Sequence, residues 1–460
     1  MKKKMSNKIQ ELENQNLPSK IEKVLVVGSW AKEQATIENL KENKEIKVLS
    51  YLDTKNPGII READDYRIGE LDQTQKIVEY ASQNKVDLVL ITTAEPLGKG
   101  VVDALERESI LCFAPRKKAA QLETNKHFAR RLMKKHNIDA VPSFKVFQQE
   151  DEAIKYAKEL NWQVAVKPIG LTEGLGVKVY KEQLQTPEEV QDYIHKVLEK
   201  KIGNAAKVLV EEKMEGEEFT IQCFVNGTDF VASPCVQDFK KLLAGGEGPN
   251  TASMGSYSTK QKILPFMTED DYRTALNIIE KTLSAYQKET GEICRGFLYG
   301  QFIHTSRGIK LVEYNFRPGD PEWLNTLAVM EEPLHEVILK LMEEEDFSIT
   351  FQSKTTVCKY IVPPEYPEEL YQTLDVSFDE SKIQQMGVDL YYSCGKDKDQ
   401  ELNVGSERGI ALIGKGTTIE EANRRVEKAI SQIKGDFHYR NDIGTESLIQ
   451  ETINVSQRGG

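Results

Sequence analysis

The chain has 460 residues, 29% of them charged and 39% hydrophobic, with a formal net charge of −12. That length suits roughly two to four domains of an ordinary soluble globular protein, and the acidic balance speaks against a nucleic-acid surface and for an enzyme of small molecules. The absence of any long apolar run excludes a membrane-spanning helix and a signal segment, while six scattered cysteines without a CxxC pair, and six histidines without helical pairing, disfavour a zinc site and His-based catalysis and fit reduced thiols in the cytoplasm.

Residues 1–20 are rich in Lys, Asn, Gln and Glu and read as a flexible tail. Residues 21–116 alternate strand and helix patterns. Lys23–Gly28, Ile46–Ser50, Val86–Thr92 and Ile110–Phe113 are buried-type strands, with helical stretches over Lys32–Lys41 and Val101–Glu106. This βαβ order predicts a doubly wound, Rossmann-like domain, whose ligands bind at the carboxyl ends of strands, here near Gly28 and Thr92. The turn Gly28-Ser-Trp-Ala-Lys-Glu-Gln34 is not GxGxxG, which removes support for a dinucleotide enzyme.

A second region, 117–346, opens with helical sequence from Lys117 to Lys135. A small lobe over about 140–212 follows. It contains the strand Gln163–Lys167 and the Gly-rich segment Gly170-Leu-Thr-Glu-Gly-Leu-Gly176. Glycines such as Gly174 and Gly176 let backbone N–H groups lie over phosphates, although a plain hairpin loop has the same composition. Lys167 ends its strand beside this loop, as a phosphate contact or a surface lysine. Lys207–Met214 runs from an apolar strand into two carboxylates; a hinge at Lys213-Met214 can read adenine through its backbone, and Glu218 can hold ribose hydroxyls. The segment from Gln237 to Tyr257 is too poor in apolar residues for a core element and reads as a long functional loop. A long helix, Glu269–Thr290, precedes a hairpin of Phe297–Ile303 and Ile309–Phe316.

Within Leu311–Glu322, side chains alternate from Val312 on, so that Glu313, Asn315 and Arg317 share one strand face at roughly 7 Å intervals. A carboxylate beside a carboxamide oxygen suits Mg²⁺, and a neighbouring guanidinium suits a phosphoryl group in transfer. A solvated sheet face is the plain alternative. The strand breaks at Pro318-Gly319 into an acidic turn, Asp320-Pro-Glu322. Leu334–Glu345 is helical, and a third region of α+β character spans 350–455 from the strand Thr355–Val362.

In order, Lys126, Lys167, the Gly-rich loop, Glu211-Glu212, Gly216-Glu-Glu218 and Glu313-Tyr-Asn315 resemble an ATP-grasp ligase. Cys112-Phe-Ala-Pro115, Gln237-Asp-Phe-Lys240, Gly248-Pro-Asn-Thr251, Gly296-Phe-Leu-Tyr299, Glu313–Glu322 and Arg440-Asn-Asp-Ile-Gly444 narrow the resemblance to the phosphoribosylamine–glycine ligase family, and Thr356–Tyr360 to its archaeal branch. The resemblance implies an ATP-grasp fold with Rossmann-like N-terminal and α+β C-terminal domains, and a cytoplasmic monomer or weak homo-oligomer. It implies that ATP converts glycine to glycyl phosphate and that 5-phosphoribosylamine then displaces the phosphate. Carried over by position, Glu313 and Asn315 would hold Mg²⁺ or Mn²⁺. Arg317 would steady the transferring phosphoryl group, and Lys126 and Lys167 would bind the ATP phosphates. Glu211, Lys213 and Met214 would frame adenine, and Glu218 the ribose. Gly28, Lys32, Asp238, Lys240, Asn250, Thr251, Asp320 and Glu322 would face the amino acid and the amine. The family's GxGxREH, NTGGMG and grasp-loop lysine are replaced here by Gly28–Gln34, Asn250–Gly255 and Leu175. A ligase joining a small amino acid to another amine, or a non-catalytic nucleotide binder, would fit those changes.

Overall fold

A computed structural model describes residues 20–170, 176–203, 205–343, 348–367, 372–396, 402–405 and 408–458. The N-terminal region is a five-stranded parallel sheet with the spatial order Asp65–Ile68, Lys47–Leu52, Lys23–Val27, Leu88–Ile91, Leu111–Cys112. The first strand sits centrally, with its sequence neighbours on one side and the later strands on the other. The crevice at this reversal lies beyond the carboxyl ends of Lys23–Val27 and Leu88–Ile91, where doubly wound sheets bind ligands. The edge strand Asp65–Ile68 carries no strong sequence signal, since it is largely exposed and pairs with one strand, whereas the helix Thr74–Asn84 buries Ile77, Val78, Tyr80 and Ala81 at helical spacing.

A smaller antiparallel sheet orders Phe144–Phe147, Val208–Glu212, Val164–Pro168 and Lys178–Val179. It has its own core, built from residues such as Val164, Val166, Val208 and Val210 against Ala153, Tyr156 and Ile194 of two covering helices.

The largest sheet is antiparallel and nine-stranded. Its order is Gly308–Asn315, Arg295–Thr305, Glu217–Asn226, Val236–Asp238, Gly255–Ser258, Thr355–Ile361, Ile410–Gly416 and Val388–Tyr392, with Asp229–Ala232 paired to Glu217–Asn226. The sheet therefore passes without a break from the second region into the third, through Gly255–Ser258. This corrects the reading of 237–257 as one irregular loop: Val236–Asp238 and Gly255–Ser258 are buried strands and Lys241–Leu243 pairs with Glu247–Asn250. Gly-Ser-Tyr-Ser lacks the β-branched residues that advertise a strand, and tertiary pairing overrides that weak propensity.

Two helical expectations also change. The stretch Lys117–Lys135 is broken at Asn125, whose non-helical backbone ends the short helix Gln121–Thr124 and whose side chain accepts from the Phe128 N–H at 3.1 Å. The cap starts a new helix, Lys126–Lys135, and places Lys126 on its first turn. Glu322 begins the helix Glu322–Val329 and is not the end of a free turn. Trp323 on that helix is buried against Phe297 and Phe224, ring centroids 5.0 and 5.6 Å away, and its Nε1–H donates to Thr36 Oγ1 at 2.9 Å. Burying so large a ring contributes roughly 2–3 kcal/mol and ties the N-terminal helix Ala31–Lys41 to the large sheet.

Candidate active site

One cleft of about 260 Å³ lies where the three regions meet. Its wall takes Lys32 from the first turn of the helix Ala31–Lys41, Lys126 from its helix, Asp238 and Lys240, Asn250 and Thr251, and Glu313, Asn315, Arg317, Asp320 and Glu322. Eleven of the residues singled out from sequence thus share one cavity. Gly28, Lys167, Gly176, Glu211, Lys213, Met214 and Glu218 are not on that wall, and Gly174 lies outside the described residues.

The strand Gly308–Asn315 carries the centre of the site. Its pairing with Arg295–Thr305 slips at Val312, so that Gln301 opposes Glu313 and Phe302 opposes Leu311. Ile309 and Leu311 stay in the core, Val312 is the bulged residue, and Tyr314 and Phe316 take over the core positions. The apolar face read as beginning at Val312 therefore begins at Tyr314. The bulge shifts the phase by one residue and turns Glu313 and Asn315 into the cleft. Their side chains approach to 3.5 Å, Asn315 Nδ2 to Glu313 Oε1. Burial alone would raise the Glu313 carboxyl. The ammoniums of Lys126, Lys167 and Lys240 outweigh it and hold the group below the usual carboxylate range.

Arg317 is braced by Glu123, with Nε 3.3 Å from Oε1, while the Phe316 N–H donates to the other carboxylate oxygen at 2.9 Å. Lys240 Nζ donates to Glu218 Oε2 at 2.6 Å, and Gln301 Nε2 donates to the same oxygen at 2.7 Å. Desolvation works against the Lys240 charge, but Asp238 and Glu218 beside it hold the ammonium above its usual range. Asp238 is buried, and its Oδ1 has no partner among the described residues. Glu322 accepts from the Tyr299 hydroxyl at 2.9 Å; burial, then the nearby Asp238 charge, pushes its carboxyl up to about 7. Two buried carboxyls that resist joint ionisation form a place for a small ammonium ion.

Lys167 is buried, 5% exposed, which decides against a surface lysine. Its Nζ lies 2.6 Å from Glu211 Oε2, and Arg130 Nε donates to Glu211 Oε1 at 2.6 Å. The Glu211 side chain is thus engaged in a buried ion cluster, leaving only the following backbone for a base. Lys32 is also buried, 3.8 Å from Glu33. Glu33 folds back to accept from Trp30 N–H at 2.8 Å and Thr92 Oγ1–H at 2.6 Å. A Cβ on Gly28, whose φ is +136°, would stand 2.7 Å from Glu33 Oε1, so Gly28 leaves room for this packing. The Thr251 hydroxyl closes its own turn, donating to the Lys240 carbonyl at 2.8 Å and accepting from the Ser253 N–H at 3.0 Å.

Sequence reasoning missed Tyr299, Gln301, Glu123 and Arg408 as wall residues. Tyr299 and Gln301 alternate on a recognisable strand and could have been found. Arg408 could not, because it arrives from the third region. It donates to the carbonyls of Ala252 at 2.8 Å and Asp320 at 3.0 Å, pairs with Asp320 Oδ1 at 2.9 Å and lies over the Tyr360 ring at 4.0 Å.

Among the described residues no group of three or more His, Cys, Asp or Glu could hold a metal ion. One carboxylate and one carboxamide fit a cation that completes its shell with nucleotide phosphates and water, as Mg²⁺ does. No helix among the described residues is long and apolar enough to cross a membrane.

Three consecutive parts of the chain match the phosphoribosylglycinamide synthetase family: its N domain over residues 22–123, its ATP-grasp (A) domain over 124–323 and its C domain over 356–446. A phosphoribosylamine–glycine ligase of Methanocaldococcus jannaschii is 40% identical over 437 residues, covering 94% of this chain and 98% of that one. The Methanosphaera stadtmanae ligase of the same name is 39% identical with the same coverage. Among solved structures, phosphoribosylamine–glycine ligase from Thermotoga maritima superposes with a TM-score of 0.76 at 25% identity, covering 92% of this chain and all of that one. A Campylobacter jejuni biotin carboxylase, at 13% identity, TM-score 0.70 and 95% and 97% coverage, shares the fold.

Proposed function

Since the chain belongs to the phosphoribosylglycinamide synthetase family, and is with it an ATP-dependent carboxylate–amine ligase, we propose that the cleft joins glycine to 5-phosphoribosylamine, with the residues above in the following roles. In the first half-reaction a glycine carboxylate oxygen bonds to the γ-phosphorus of ATP as the bond from that phosphorus to the β-phosphate oxygen breaks, releasing ADP. In the second, the amine nitrogen bonds to the acyl carbon, the acyl–phosphate bond breaks, and the nitrogen loses a proton. Phosphorylation turns a poor leaving group into a good one, and the protein supplies charge neutralisation and positioning.

Lys126 and Lys167 neutralise ATP phosphates, and Arg317, held by Glu123, steadies the group in transfer. The backbone after Glu211, at Lys213 and Met214, takes the base. Glu218 meets the ribose, with Lys240 and Gln301 fixing its carboxylate. The Asp238–Glu322 pair holds the glycine ammonium, Lys32 meets the phosphate of the amine, and Asn250, Thr251 and Asp320 shape that end. Glu313 and Asn315 would hold Mg²⁺, which when bound disperses charge on the nucleotide phosphates. The single observation that carries this reading is the meeting of Glu313 and Asn315 at 3.5 Å on a wall shared with Lys126, Lys240 and Arg317. Six buried, unpaired cysteines fit a reducing cytosol.

The test is ADP release by the pure protein with Mg²⁺-ATP and glycine, with and without freshly prepared phosphoribosylamine. Release that needs both is expected. Release with glycine and some other amine would reassign the acceptor, and no release with any amine would reject catalysis.

A further inference from the structure

Arg130 is off the wall of the cleft and 3% exposed, yet it touches three of the pieces that build the nucleotide end. It sits on the helix that starts with Lys126. Its Nε and one Nη clasp Glu211, at 2.6 and 3.3 Å, and the same Nη donates to the Val312 carbonyl at 2.6 Å. Glu211 lies on the small sheet and is itself paired with Lys167 at 2.6 Å. Val312 lies on the nine-stranded sheet and is the bulged residue just before Glu313. One guanidinium therefore connects the helix of Lys126, the partner of Lys167 and the backbone that aims Glu313.

A buried ion pair alone is weak evidence for a stabilising role, because desolvation offsets much of the attraction. The bond to Val312 is different in kind. It crosses from one sheet to the other and needs a flat, forked donor, which Arg offers and Lys does not. Burial would raise the Glu211 carboxyl, but Arg130 and then Lys167 pull it down to about 2, so the carboxylate they clasp stays ionised at any working pH.

We propose that Arg130 is a positioning residue: through Glu211 it sets where the Lys167 ammonium stands, and through the Val312 carbonyl it sets where the Glu313 carboxylate stands. It thereby fixes the spacing between the two sheets' contributions to the nucleotide end. This rests on the reading of Lys167 and Glu313 given above.

The experiment compares the full-length wild type with Arg130→Lys, Arg130→Met and the double variant Arg130→Met/Glu211→Gln. Mg²⁺-ATP affinity is measured by calorimetric titration, together with the Mg²⁺ dependence of ADP release, the KM for glycine and the melting temperature. Arg130→Lys keeps the charge and loses the fork. It is expected to weaken Mg²⁺-ATP binding about 10-fold and raise half-saturating Mg²⁺ by a similar factor, as loss of an orienting partner does, with the glycine KM within about two-fold of wild type. The double variant also strips the buried Lys167 ammonium of its Glu211 partner, so it is expected to melt no higher than Arg130→Met and to bind Mg²⁺-ATP no better, and a return of wild-type Mg²⁺-ATP affinity in it would overturn the proposal. Wild-type nucleotide and Mg²⁺ constants in Arg130→Lys would overturn the proposal, as would a parallel fall of every constant with melting temperature. If Arg130→Met does not fold, Arg130→Lys decides alone. A wild type that fails to bind Mg²⁺-ATP would instead reject the underlying site assignment.

Discussion

Replacing the Glu313 carboxylate by an amide of the same shape removes a charge from the cleft wall and no core volume, since the core positions of this strand belong to Tyr314 and Phe316. Glu313→Gln is expected to lower kcat by roughly 100-fold or more while the melting temperature stays close to wild type. Stopped-time ADP assays and calorimetry check the two halves, and near-normal turnover would remove Glu313 from the metal role. Lys32 is buried and lines the cleft together with Trp30. Lys32→Ala is expected to raise the KM for the phosphorylated amine about 10-fold, the worth of one charge-assisted hydrogen bond, and to leave the KM for ATP unchanged. Initial-rate kinetics with each substrate varied in turn would show it; an unchanged amine constant would contradict the assignment.

Among the elements, Gly255–Ser258 joins the strands of the second region to those of the third. Gly255 has φ +155°, and a Cβ there would stand 2.3 Å from the Cys358 carbonyl oxygen on the neighbouring strand. Gly255→Ala must push that strand away or change its own backbone, at a cost of about 2–4 kcal/mol. Denaturant unfolding would measure this, and a loss below about 0.5 kcal/mol would show that the strand can shift freely. Strand Glu217–Asn226 carries a different signature. Burial, with Glu218 and Glu451 nearby, raises the Glu217 carboxyl to about 7 despite the Gln237 amide at 2.9 Å. Between pH 4.5 and 7 the folded chain therefore holds a proton that the unfolded chain has lost, and stability falls as pH rises through that window. Glu217→Gln removes this slope, so the variant should gain about 1–2 kcal/mol over wild type above pH 7 and nothing below pH 4.5. Parallel melts across pH would test it; equal slopes would place an ionised Glu217 in the folded chain.

For the whole molecule, the three regions are joined by polar contacts as well as by core. Gln34 donates to the Leu390 carbonyl at 3.3 Å and accepts from the Tyr392 N–H at 2.8 Å, and Asn56 donates to the Tyr392 carbonyl at 2.6 Å. The strand Val388–Tyr392 ends the large sheet, and these two side chains satisfy the open edge. Gln34→Ala leaves a buried N–H and carbonyl short of partners and is expected to cost about 1–3 kcal/mol, a drop of several degrees in melting temperature. Scanning calorimetry would check it. The position that departs from the family's His is thus occupied by a residue that seats the N-terminal region on the C-terminal one.

By itself the sequence determined the local chemistry: period-two alternation put Glu313 and Asn315 on one strand face, βαβ order dictated the parallel sheet, and motif order identified the family. Those signals are short-range, and each is written in neighbouring residues. Only the tertiary structure decided that Gly255–Ser258 is a central strand, that a bulge at Val312 rather than simple alternation aims Glu313, and that Arg130 and Arg408 reach the site from 182 and 88 positions away from Val312 and Asp320. Long-range pairing supplies hydrogen bonds and burial that outweigh weak local propensity, and no residue advertises in its own neighbourhood the partner it will meet across the fold.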